Sequence, residues 1–96
     1  MFDKDRYLTK DVSKKIPLEI QVLLWSMISE MKIKKDYLQV FEIEPIKNNL
    51  LKIEHRQEIP KYKKEVVVVN TGINFKVKIF VIDDGEYSTM MLSDEY

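Results

Sequence analysis

Hydrophobic residues recur at helical spacing in one stretch of the first half of the chain and alternate with polar ones through most of the second half. From Pro17 to Lys32, "PLEIQVLLWSMISEMK", residues Ile20, Leu23, Leu24, Met27, Ile28 and Met31 follow the i, i+3, i+4, i+7 spacing of one buried helix face. Pro17 suits the first turn, where its missing N–H costs nothing, and Glu19 lies near the positive end of the helix dipole. Leu18, Val22 and Trp25 recur on nearly the opposite side, separated from the first stripe by narrow polar strips at Glu19, Ser26 and Glu30 and at Gln21 and Lys32. A single sheet covers one such face. The other must meet a curled sheet, a terminal segment or a partner.

The remaining pattern is that of strands. "RYLTK" (6–10) sets Tyr7 and Thr9 against Leu8, which predicts a short edge strand. "DYLQVFEIE" (36–44) places Tyr37, Gln39, Phe41 and Ile43 on one side, and Pro45 ends it or marks an edge. "KNN" (47–49) turns the chain into "LLKIEHRQ", where Leu51, Ile53 and His55 share a side. Four consecutive valines in "YKKEVVVVN" (62–70) predict a central strand covered on both faces. "NTG" (70–72) turns that strand into "FKVKIFVID" (75–83) as a hairpin at Gly72, and Asp84-Gly85 turns the latter into "EYSTMML" (86–92) as another. The expected fold is α+β: one central helix on a curved, mainly antiparallel sheet of five or six strands. Residues 1–96 form one domain in this reading, with a short frayed acidic tail.

Composition narrows the class. Hydrophobic residues make up 45% of the 96 and charged residues 33%, with two glycines and three prolines, so the chain is expected to fold throughout rather than remain disordered. A chain of this length buries roughly 65% of its unfolded surface, enough for one core but not for a cleft between two lobes. The absence of cysteine excludes disulfides, thiolate metal sites and cysteine nucleophiles. "MFDKDRYLTK" lacks an apolar leader core, and no apolar run approaches the length a bilayer requires. A reducing cytoplasm is the expected location, with no membrane contact.

Sixteen basic side chains balance sixteen acidic ones, so no global field draws in nucleic acid. The charges are nonetheless segregated. Lys47, Lys52, Arg56, Lys61, Lys63 and Lys64 face only Glu54 and Glu58 within their stretch, and Asp83, Asp84, Glu86, Asp94 and Glu95 close the chain with no base among them.

The segments "RYLT", "IPLEIQVLLW", "DYLQVF", "HRQEIPKY" and above all "KIFVIDDGEYSTMMLSDEY" together resemble a family of small Gram-positive bacterial proteins known as domain of unknown function nine hundred and sixty. The resemblance runs almost end to end. It carries no activity, cofactor or catalytic residue with it.

Three candidate chemistries remain, each beside a plainer reading. His55 is the lone histidine and the natural centre of any acid/base mechanism, with Gln57 on its side of the strand and Asp83 or Asp84 as the acids to complete a site. Glu58, three residues on, points to the opposite face, and a structural strand-end histidine is the simpler account. Asp83, Asp84 and Glu86 offer oxygen ligands for magnesium or calcium, yet a hairpin turn explains an Asp before Gly, and calcium-loop spacing is missing. No catalytic residue, metal ligand or cofactor is assigned. Lys47, Lys52, Arg56, Lys61, Lys63 and Lys64, with Tyr62 among them, have the elements of a weak nucleic-acid surface. Lysines on an edge strand also serve to prevent edge pairing.

The preferred reading is a non-catalytic protein-interaction module, acting on a protein partner or as a homodimer, with Leu18, Val22 and Trp25 as the candidate interface. The weak nucleic-acid binder and an enzyme built on His55 with Asp83 or Asp84 are the alternatives.

Overall fold

The computed structural model describes residues 1–96. The order of elements is β1 (Arg6–Leu8), α1 (Lys10–Lys15), α2 (Leu18–Ser29), β2 (Leu38–Ile46), β3 (Leu50–Gln57), β4 (Tyr62–Val69), β5 (Val77–Asp83) and β6 (Ser88–Leu92), closed by a 3₁₀ turn at Ser93–Glu95. All six strands join one sheet in the order β1-β6-β5-β2-β3-β4. Every pairing is antiparallel except β1 with β6, so the α+β class and the six-stranded, mainly antiparallel sheet hold.

Two features differ from the sequence-based expectation. The sheet carries two helices rather than one central helix, because Lys10–Lys15 forms a separate helix. Thr9 caps it by accepting a hydrogen bond from Val12 N–H. Its single buried residue, Val12, gives no stripe to read. The buried Gln21 side chain donates to Ile16 C=O at 2.8 Å and so ties the end of α1 to α2.

The second difference lies in β4, which is the sheet edge and not a central strand, and which forms no hairpin with β5 across Gly72 because β2 and β3 lie between them. Its valines alternate in burial. Val66 and Val68 pack against the core while Val67 and Val69 are 51% and 63% exposed. Four identical apolar residues satisfy a two-sided and a one-sided strand equally well, and the pattern alone does not choose.

One face of the sheet is the core face. Phe41 and Ile43 of β2, Leu51 and Ile53 of β3, Val77, Ile79 and Val81 of β5, and Met90 and Leu92 of β6 pack there with Val12 and with Ile20, Leu24, Met27 and Ile28 of α2. The opposite face has no helix over it. Pro45 pairs with Leu51 of β3, and β5 begins only opposite Ile43, so the missing N–H falls where β2 is locally an edge. Asn48 and Asn49 both adopt left-handed backbone in the β2–β3 turn. At the C-terminus Glu95 accepts from Leu92 N–H and from the Thr9 hydroxyl, and Tyr96 lies edge-on to Phe80.

Candidate functional site

The groups that could support acid/base chemistry are built into the fold separately. His55 sits on β3 between Phe41 of β2 and Lys64 of β4 and is fully buried. Its ring stacks on Phe41 at 4.3 Å between centroids and meets Tyr62 edge-on at 5.3 Å. His55 Nε2 lies 2.7 Å from Gln39 Oε1. Gln39 spends its amide hydrogens on Asp36 C=O and Gln57 Oε1, so only its oxygen is left for the ring, and His55 must donate from Nε2. His55 Nδ1 is then a lone pair, buried without a partner. Burial, and secondarily the Lys64 ammonium, push the imidazole pKa down to about 4.

Gln57 completes this network. Its Oε1 accepts from Asp36 N–H and Gln39 Nε2, and its Nε2 donates to Lys34 C=O and Pro60 C=O. One amide thereby fastens the loop before β2 and the turn after β3 to the core. The His55–Gln39–Gln57 chain is a buried, hydrogen-bonded polar network.

Asp83 and Asp84 do not join it. Phe41 aligns with His55 on one side and with Ile79 on the other, and Asp83 is four residues beyond Ile79. At about 3.3 Å per residue and 4.8 Å per strand, backbone separation is about 16 Å. Both aspartates are instead committed to backbone N–H groups. Asp83 accepts from Gly85 N–H and Phe2 N–H, while Asp84 accepts from Glu86 N–H and Tyr87 N–H, which hold its carboxyl below the ordinary range. Gly85 supplies the positive φ of the turn.

The basic residues divide between surfaces. Lys52, Arg56 and Lys63 project from the helix-free face, Tyr62 and Lys64 from the helix-covered face, and Lys47 and Lys61 from the turns flanking β3. Arg56 is bound by Glu42 and Glu54, and Lys63 reaches Glu54 at 3.3 Å. These residues form no continuous cationic surface.

The apolar stripe on α2 is split by depth. Trp25 is only 9% exposed, with the Arg6 guanidinium 4.8 Å over its ring, and Arg6 also donates to Ser29 Oγ and Phe2 C=O. Leu18 and Val22 are 68% and 58% exposed. Arg6, Val22, Trp25 and Ser29 line one shallow depression, while Leu8, Lys14, Lys15 and Leu18 line the next. Sequence reasoning missed Arg6 and Leu8, which reach this surface from β1, and Gln39, whose signal was a lone amide among Tyr37, Phe41 and Ile43 on an apolar strand face.

Residues 5–95 match a family described as "Staphylococcal protein of unknown function (DUF960)". The chain belongs to that family. A family member's resemblance to solved structures is illustrated by the crystal structure of a protein of unknown function from Enterococcus faecalis, which superposes with a TM-score of 0.82 at 22% identity, over 98% of this chain and 92% of that one. At that identity the likeness establishes the shared fold alone. No curated protein matches the chain. No helix is long and apolar enough to cross a membrane.

Proposed function

We propose that this protein is a non-catalytic interaction module whose docking surface runs along α2 and β1. The observation that carries this reading is the pair Leu18 and Val22, exposed one helical turn apart with Leu8 beside them. Large aliphatic side chains held out from a rigid helix over a packed floor are what a protein contact uses. Trp25 serves as that floor and not as the anchor, since β1 brings Arg6 across it. Lys14 and Lys15 rim the Leu18 depression with no acid lining it, which favours a partner segment whose apolar anchor is flanked by carboxylates.

The test is affinity capture from cell lysate with the wild-type chain and the Leu18→Asp/Val22→Asp variant side by side, each with a nuclease-treated sample. The expected result is a discrete protein retained by the wild type, insensitive to nuclease and lost by the variant, with both chains melting cooperatively. Equal recovery by both chains, or a partner that disappears with nuclease, contradicts the reading.

A further inference from the structure

The free edge of β4 is a second surface, independent of the α2–β1 face. Asn70 N–H bonds Asn49 C=O at 2.9 Å, which sets the alternation of the β3–β4 ladder. Lys64, Val66 and Val68 turn their backbone groups toward β3, and Lys63, Glu65, Val67 and Val69 turn theirs away from it. No strand, loop or side chain of the chain bonds to these outward groups. β4 is eight residues long and regular to its end, whereas β1 at the other edge has three residues. Lysines are the usual guard of such an edge, but Lys63 and Lys64 protect only its first half. Val66 to Val69 are left as a β-prone, uncharged template.

We infer that this edge pairs with a second copy of the chain, β4 antiparallel to β4, so that two six-stranded sheets become one. Charge and strand length decide the occupant and the register. A two-fold axis normal to the sheet keeps each face continuous, so residues pointing outward on one strand pair with outward residues on the other. Centring the seam on Glu65 sets that carboxylate against its own copy, and centring it on Lys64 opposes two ammonium groups; both are destabilising. Centring it on Val66 sets Lys63 opposite Val69, Lys64 opposite Val68 and Glu65 opposite Val67. No like charges then face each other directly, the lysines lie toward the two ends of the seam, and each outward N–H of the four residues finds a carbonyl across it. A shift to a Val67 centre sends Lys63 against Thr71, which lies outside the strand. The strand is thus most fully complementary to itself in the Val66 register, which keeps all four outward residues paired within the strand.

The test is molar mass by light scattering and sedimentation over a concentration series, for wild type, Val67→Pro, Val67→Lys and Leu18→Asp/Val22→Asp. Proline at 67 removes an N–H that bonds nothing within the protomer, and lysine at 67 extends the existing guard without touching the ladder. The expected result is a wild-type species of twice the 11.5 kDa chain mass at high concentration. Val67→Lys, and Val67→Pro if it folds, stay at the chain mass with an unchanged circular dichroism spectrum, while Leu18→Asp/Val22→Asp still dimerises. Amide exchange at Lys63, Glu65, Val67 and Val69 should slow as wild-type concentration rises. A wild-type chain that remains at 11.5 kDa throughout, or a dimer that survives Val67→Lys, overturns the inference. A dimer lost in Leu18→Asp/Val22→Asp instead assigns self-association to the α2 face and equally overturns it.

Discussion

At the scale of single residues, His55 shows how strand pairing encloses a titratable group. Its position on the same side of β3 as Leu51 and Ile53 was legible, because strand periodicity assigns it to that face. The network that defines its protonation was not, since Gln39 lies sixteen residues away on another strand and only the β2–β3 register brings it into contact. The consequence is a dependence of stability on pH. The folded imidazole titrates at about 4 and the unfolded one at an ordinary value near 6.5, so between those values the unfolded chain takes a proton that the folded chain refuses. This contribution is intact above pH 6.5 and is lost as pH falls through 4, for a total of about 3 kcal/mol. His55→Phe should remove that slope. It also leaves Gln39 Oε1 without a donor, at a cost of about 1–3 kcal/mol at every pH. Urea unfolding of both chains at pH 7 and pH 4 measures the difference, in which other titrating groups cancel, and parallel losses in the two proteins would refute the account.

At the scale of elements, what could be read depended on how long and how periodic each segment was. The α2 helix carried twelve residues with a continuous apolar stripe and was visible in advance. The α1 helix has six residues and one buried side chain, and its two ends are held by the Thr9 cap and by the Gln21 amide on Ile16. Thr9 also donates to Glu95 Oε1 at 2.8 Å, which in turn accepts from Leu92 N–H, so one side chain joins the start of α1 to the C-terminal turn. Thr9→Ala should therefore lower stability by about 1 kcal/mol and speed amide exchange in residues 10–15 and 93–95 together. Exchange that quickens in only one of those segments would show that the two are not coupled through Thr9. The hairpin turns at Asn48-Asn49 and Gly85 were legible for a different reason: their positive φ values restrict the residue type at the position itself.

At the scale of the whole molecule, the sheet sorts the candidate chemistry into places where it cannot cooperate. His55 is enclosed under the helices, Asp83 and Asp84 are held in a turn about 16 Å away, and the basic residues are spread over two faces and two turns. None of this was accessible without strand order, because β4 lies at an edge that its valines did not announce, and because β1, distant in sequence, runs parallel to β6 and lays Arg6 across Trp25. The α2–β1 surface keeps Leu8, Leu18 and Val22 exposed, and the central claim is that this surface meets a protein. The most direct measurement places a photo-cross-linking amino acid at Val22 in living cells, with Lys52 on the helix-free face of the sheet as the control position. The account predicts a light-dependent adduct of defined mass at position 22 that survives nuclease and is absent at position 52. No adduct at position 22, equal adducts at both positions, or an adduct that nuclease removes would contradict it.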